Sequence, residues 1–394
     1  MLIVGGILYR KTYALIDCDV IKSNIEKIRE TYNDYKYYFG VVKANAYGHG
    51  IYVINAMIDA GINYLAVATL EEALNIRKLN KKISVLVLEP IDASDVKVAA
   101  LNNITITIDD VENFKDILNQ KVKLKFHMKI DTGMNRFGLK KSEDADYIYK
   151  NSNNILVLEG IFTQLYSGFG EELKKEENRF LEITKNIDLS KVPIVHLDRS
   201  LTLEQHERFS FANGVRLGII MYGFPKRVYQ PSLKRRIYNF VLRKKTTSEE
   251  SVLKLNTAFK FYTTVMETKS VLPGEVVGYG GMYDSKENSK IAILPYGFAD
   301  FTFVKPTNVY IKNKKYKIIT NYMDITSVIV DDSVKSGDMV EIFGDIIKIR
   351  EAAEEAGVNV YKLLCSVTTR VPRVYKYQNK EVEVNYLGGL DEKI

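Results

Sequence analysis

Up to about residue 225 the chain alternates short β-rich runs with amphipathic stretches. The runs are YALID (13–17), YYFGVVKA (37–44), YLAVAT (64–69), SVLVLE (84–89), ITITID (104–109), KLKFHMKID (123–131), ILVLEGIFTQ (155–164), VPIVHL (192–197) and VRLGI (215–219). Most are continuously apolar, the pattern of parallel strands covered on both faces by helices. Between them apolar residues recur at spacings of three and four, as in Ile21, Ile25 and Ile28, with Asp19 as the expected helix cap. Strand followed by helix, repeated at this length, predicts an α/β barrel or a doubly wound sheet.

After about residue 250 the rhythm changes. FYTTVMETKSVL, EVVGYGG, SKIAILPYGF, NVYIKNKKYKIIT, ITSVIVDD and DMVEIFGD read as strands joined by short turns, with one clear helix candidate at REAAEEAG (350–357). This part is expected to be mainly β. No repeat of fixed period and no low-complexity tract interrupts the pattern.

Length and composition narrow the class. At 394 residues, with 46% hydrophobic and 27% charged, the chain reads as a soluble globular protein of two domains, one of them the size of a barrel. No apolar run approaches the roughly 20 residues of a membrane span. The opening MLIVGGILYRKT has no basic residue ahead of its apolar run and no small-residue cleavage site after it, so it does not read as a signal peptide and the expected location is the cytoplasm. Cys18 and Cys365 fit no metal-ligand spacing and are expected as free thiols. The four histidines, His49, His127, His196 and His206, show no two-histidine ligand spacing, which disfavours a metal enzyme.

The net charge of +7 is local. The stretch 226–245, KRVYQPSLKRRIYNFVLRKK, holds eight Lys/Arg and no acid. It reads as a solvated connection between domains or as a contact for an anionic partner. A nucleic-acid role is disfavoured, because aromatic interleaving is limited to Tyr229, Tyr238 and Phe240 and no reading module accompanies it.

The run VVKANAYGHG (41–50) ends an apolar strand pattern on Lys43. In a barrel, functional side chains project from the carboxyl ends of strands. A lysine there either serves as a Schiff-base amine with a depressed pKa or reaches solvent with its head group. Its own position leaves both readings open.

VVKANAYGHG, HMKIDTGMNRFGL (127–139), GVRLGIIMYG (214–223), VVGYGGMY (276–283), PYGFAD (295–300), the MD pair at 323–324 and TRVPRVY (369–375) occur in order along nearly the whole chain. Together they resemble the ordered motifs of the alanine racemase family, fold-type III enzymes that use pyridoxal 5′-phosphate (PLP). The resemblance implies an eight-stranded (β/α)8 barrel followed by a mainly β C-terminal domain. The barrel is then expected over 18–247 and the β domain over 248–394, with the N-terminal strand segment 1–17 joining the second. The run 13–17 is thereby set apart from the eight barrel strands.

It also implies roles. Lys43 matches the lysine that holds PLP through its amine, and Tyr279 the second base, opposed across the substrate. A phenol ionises near pH 10 in water, so a tyrosine base needs a site that eases or relays its proton. Arg216 matches the arginine facing the pyridine nitrogen. Having no acceptor, it leaves that nitrogen unprotonated and the cofactor a weaker electron sink. Arg136 matches the arginine at the cofactor's phenolic oxygen and the substrate carboxylate, which a planar donor fork suits. Lys129 falls where several members carry a carbamylated lysine. His196, Ser200, Gly218, Ile219, Tyr47 and Tyr361 fall at cofactor-binding positions, the last five beside the phosphate. Met323 and Asp324 match the substrate-side pair. Tyr279 and this pair come from a partner subunit in the family, so a homodimer with shared sites is implied.

Four single positions depart from the family's motifs, and before Met323 the stretch ITNY (319–322) stands where Gly-Arg is typical. Gln164 replaces a histidine, Asp198 and Arg199 replace an alanine and an asparagine, and Phe298 replaces a pocket tyrosine. The leading expectation is interconversion of L-alanine and D-alanine for peptidoglycan synthesis by two bases, Lys43 and Tyr279. Racemisation of serine or of a larger or basic amino acid, and a catalytically weak PLP-binding protein, stay open as alternatives.

Overall fold

The computed structural model describes residues 10–168, 170–226, 251–301 and 308–384. Apart from Lys226, the basic stretch 226–245 lies outside the described residues. One compact unit draws on residues 1–21, 45–56 and 257–394, the other on 22–44 and 57–256.

The first strand, β1 (Tyr13–Asp17), joins the sheet of the first unit. The next eight strands are β2 (Tyr37–Val41), β3 (Tyr64–Val67), β4 (Ser84–Pro90), β5 (Thr105–Ile108), β6 (Leu124–Ile130), β7 (Leu156–Thr163), β8 (Ile194–Arg199) and β9 (Gly214–Leu217). They form a closed barrel in chain order, all parallel, with β9 pairing back onto β2. Every residue of β3, β5 and β9 is buried; β3 is apolar throughout, as expected of a strand covered on both faces, whereas β5 buries Thr105 and Thr107 and β9 buries Arg216. Inside, His196 stacks on Phe39 (centroids 4.5 Å apart) and on Phe162 (4.8 Å). Phe39, Phe126 and Phe162 are at most 1% exposed, and each contributes roughly 1.5–3 kcal/mol through burial.

Ile21, Ile25 and Ile28 line the buried stripe of the helix Cys18–Thr31. Asp19 is not its cap. The Asp17 carboxylate accepts from Val20 N at 3.1 Å, while Asp19 accepts from Gln378 N. An N-cap side chain accepts from the amide two or three residues on, and Asp17, directly before the helix, does so at Val20.

The first unit holds a ten-stranded sheet and a two-stranded ribbon. Its strands after β1 are β10 (Phe259–Thr264), β11 (Glu267–Val271), β12 (Val276–Val277), β13 (Tyr283–Asp284), β14 (Ser289–Leu294), β15 (Asn308–Ile311), β16 (Lys314–Asn321), β17 (Thr326–Val330), β18 (Met339–Phe343), β19 (Arg373–Tyr377) and β20 (Lys380–Val384). The sheet order is β11-β14-β17-β16-β15-β18-β10-β1-β19-β20, and β12 pairs with β13. β1 is antiparallel to β10 and parallel to β19. The helix expected near 350–357 spans Ile349–Glu355. A second, Val360–Cys365, was not anticipated: six residues are too few to show a helical period, although the Asn359 side chain accepts from Lys362 N as a cap.

Candidate active site

Lys43 lies two residues beyond β2, so the apolar run leaves the strand before its lysine. The chain then makes one left-handed helical turn: Ala44, Asn45, Ala46 and Tyr47 have φ of 52°, 53°, 53° and 54°. Left-handed backbone costs an L-residue roughly 1–2 kcal/mol, so the surroundings must hold it. On the barrel side Glu72 does this, accepting from Ala44 N at 2.6 Å and Ala68 N at 2.8 Å. Glu72 was missed in the sequence, though T-x-x-E at Thr69–Glu72 is a capping signal that could have found it.

Burial pushes the Lys43 ammonium below the ordinary lysine value. Arg136 and Arg216 add to this, and Glu72 and Glu89 oppose it. Lys129, on β6, is 4% exposed and is pushed down to about 8 by burial, with Arg136 and Arg216 contributing. Its ammonium lies 5.1 Å from the centroid of the Phe137 ring and 5.6 Å from that of Phe162. Arg136 is exposed in the loop after β6, which Asp131 shapes by accepting from Gly133 N and Asn135 N at 3.0 Å.

Arg216, on β9, is buried, and both of its Nη atoms are engaged. Its Nη1 donates to His196 Nδ1 and to the His196 carbonyl at 2.8 Å. Nη2 donates to the carbonyls of Thr163 at 2.7 Å and Leu197 at 3.1 Å. Burial brings its guanidinium down to about 9, against the attraction of Asp198. His196 Nε2 faces His127 Nδ1 at 2.8 Å, and His127 Nε2 lies 3.5 Å from Glu159 Oε2. His127 and Glu159 were not anticipated as parts of the site.

Ser200 follows β8 and Gly218 follows β9, and the Ser200 hydroxyl oxygen accepts from Gly218 N at 2.8 Å. This leaves the serine proton free to donate at the carboxyl end of the barrel. Ile219 begins the short helix Ile219–Tyr222, directly after Gly218. An amine, arginine forks and a hydroxyl beside a helix start together fit an aldehyde-bearing, phosphorylated cofactor such as PLP. Among the described residues no group of His, Cys, Asp or Glu is placed to hold a metal.

The other sequence-derived residues belong to the first unit. Tyr47 and Tyr361 pack with ring centroids 5.8 Å apart. Tyr279 is 85% exposed, at the tip between β12 and β13, where Gly278, Gly280 and Gly281 have φ of 94°, 64° and 68°. A small core of Val271, Val277 and Ile291 anchors that ribbon. Tyr279 meets Tyr322 edge to face at 5.6 Å, beside the exposed Met323. Asp324 pairs with Arg370 at 2.5 Å, a partner that sequence reasoning missed.

The four departures have definite places. Gln164 is half-buried just past β7, and Phe298 is exposed. Arg199 Nε donates to the Leu165 carbonyl at 2.9 Å. Asp198 is buried and accepts from three side chains.

A closed parallel barrel with a lysine among arginines at its carboxyl end, in one chain with a mainly β unit, defines an α/β-barrel enzyme. The model of the alanine racemase N-terminal domain matches residues 16–225 and that of the C-terminal domain residues 258–375. The chain belongs to the alanine racemase family. It is 32% identical to alanine racemase 1 of Bacillus subtilis over 391 residues, covering 95% of this chain and 96% of that one. It superposes on the crystal structure of alanine racemase from Bacillus anthracis with a TM-score of 0.84 at 29% identity, covering 98% and 100% of the two chains. A histidine racemase from Leuconostoc mesenteroides subsp. sake shares the fold, with a TM-score of 0.80 at 21% identity over 94% of this chain and 100% of that one.

Proposed function

We propose that the protein is a PLP-dependent racemase that interconverts L-alanine and D-alanine, supplying D-alanine for peptidoglycan in the cytoplasm. The observation that carries this reading is Lys43, held at the carboxyl end of the barrel with its ammonium destabilised by burial and by Arg136 and Arg216. An amine whose proton is loosened in this way is a better nucleophile and a more available base than an ordinary lysine. When bound, PLP supplies a conjugated ring that draws electron density from the substrate's α-carbon.

The remaining roles fall to the chain's own residues. Lys43 holds the cofactor and exchanges the α-proton on one face, and Tyr279 exchanges it on the other. Arg216 offers only donors to the ring nitrogen. Arg136 and the Met323 backbone bind the substrate carboxylate, with Asp324 set by Arg370. Ser200, Gly218, Ile219, Tyr47 and Tyr361 bind the phosphate, and His196 steadies Arg216. The exposure of Tyr279 (85%) and Met323 (56%) supports a homodimer in which these residues serve a second copy's site. Residues 18–247 are then the cofactor domain, with 248–394 and the segment 1–17 as the second.

The decisive experiment is a chiral assay of the PLP-loaded protein over the twenty amino acids. Alanine is expected to racemise fastest. Preference for serine or for a basic amino acid would reassign the substrate, and no racemisation of any would leave a PLP-binding protein.

A further inference from the structure

Asp198 stands where the family's motif has an alanine, and its carboxylate is 1% exposed. Tyr35 OH donates to Oδ2 at 2.9 Å, Thr202 Oγ1 to Oδ1 at 2.8 Å, and His206 Nε2 to Oδ1 at 2.9 Å. Tyr35 lies in the turn before β2, whereas Thr202 and His206 lie in the loop after β8. That loop is a tight turn: Arg199 N donates to Thr202 Oγ1 at 3.0 Å, and Thr202 N and Leu203 N donate to the Arg199 carbonyl at 2.9 and 3.0 Å. Ser200 is caught inside it, with its hydroxyl oxygen on Gly218 N at 2.8 Å.

We propose that Asp198 and His206 form a charged clasp that positions Ser200 for the cofactor's phosphate and loosens as His206 loses its proton. The inference rests on the PLP reading of the site. His206 has an acceptor at each ring nitrogen, the Glu207 carbonyl at Nδ1 and Asp198 at Nε2. Only the imidazolium can donate to both. Burial opposes that charge, but Asp198, the Glu207 carbonyl and Glu177 outweigh it and hold His206 above its ordinary value. Asp198 also faces Arg216 on β9. Tyr35, flanked by Asp34 and Arg208, is pushed far above the usual phenol range by burial and by Asp198, so it stays protonated. His206 is therefore the member of this group that changes charge, at a pH above the ordinary histidine value. A histidine whose value is raised on folding contributes fully below its unfolded pKa of about 6.5, and the contribution is lost as pH rises through the folded value.

The test compares PLP with pyridoxal, which lacks the phosphate, as ligands of the full-length protein between about pH 6 and pH 9. For the wild type, affinity for PLP relative to pyridoxal should fall as pH rises. His206→Gln, which keeps a neutral donor, should bind PLP about 10-fold more weakly at the acid end, match the wild type at the alkaline end and leave pyridoxal unchanged. Asp198→Asn should remove the same pH dependence. An unchanged PLP-to-pyridoxal ratio in both variants, or an equal loss for both ligands, overturns the clasp. Failure of the wild type to bind PLP overturns the racemase reading together with it.

Discussion

Arg216 donates to Nδ1 of His196 at 2.8 Å, and this one bond sets the tautomers behind it. Arginine has no acceptor, so His196 Nδ1 carries no proton and the Nε2 proton points at His127 Nδ1, 2.8 Å away. His127 in turn presents its Nε2 proton toward Glu159. Burial holds both imidazoles below the ordinary histidine value, so both are neutral, as the relay requires.

Replacing His196 with Phe keeps the stacking on Phe39 and Phe162 but leaves an Arg216 donor and the His127 acceptor without their partners. A buried group left unmatched costs about 1–3 kcal/mol. The variant is expected to unfold at lower denaturant by that amount and to lose activity; an unchanged midpoint would contradict the relay.

Lys43→Ala removes the amine but not the residues that hold the turn, since Glu72 bonds the Ala44 backbone. The wild type loaded with PLP is expected to show the visible absorbance of a lysine-linked cofactor, and the folded variant to lack it. Retention of that band would place the linkage on another lysine, and Lys129 would be the first to examine.

Tyr279→Phe deletes one hydroxyl from an exposed ring. Cofactor absorbance should be intact while turnover falls by a factor on the order of 10²–10⁴, the range for loss of a general acid–base group. Unchanged racemisation would remove Tyr279 from the mechanism.

Gly297→Ala tests the support of Met323 and Asp324 as the proposed substrate contacts. A Cβ on Gly297 would stand 2.2 Å from the Tyr322 carbonyl oxygen and 2.4 Å from that of Met323. Phe298 N and Ala299 N also bond those two carbonyls, at 2.8 and 3.0 Å. The segment must shift, so KM for the amino acid should rise several-fold while PLP binding by the barrel holds, as a titration of each would read. A matched loss of both would mean that the effect is on folding.

Much of the fold was legible along the chain because its information is local. Continuous apolar runs mark strands buried on both faces, and all nine early runs contain a strand, though YYFGVVKA overshoots its strand by three residues. Ordered motifs likewise singled out Lys43, Arg136, Arg216 and Tyr279 as candidates, each within a run of neighbouring residues. The cap of the first helix was misplaced by two residues, from Asp17 to Asp19, since both are acids at a plausible spacing and only the bond to Val20 N separates them.

By itself the sequence determined the strand-and-helix order, the change to β structure near residue 250 and the family. Tertiary structure decided the partners. Tyr35 and Asp198 are 163 positions apart and His127 and His196 are 69 apart, and neither pair has any local signal. Closing the barrel brings strand ends together whatever their separation, and β1 reaches β19 by the same kind of long-range pairing within its sheet. Periodicity reports which face a residue turns inward; which charge or hydroxyl meets it there depends on the register of elements folded from elsewhere in the chain.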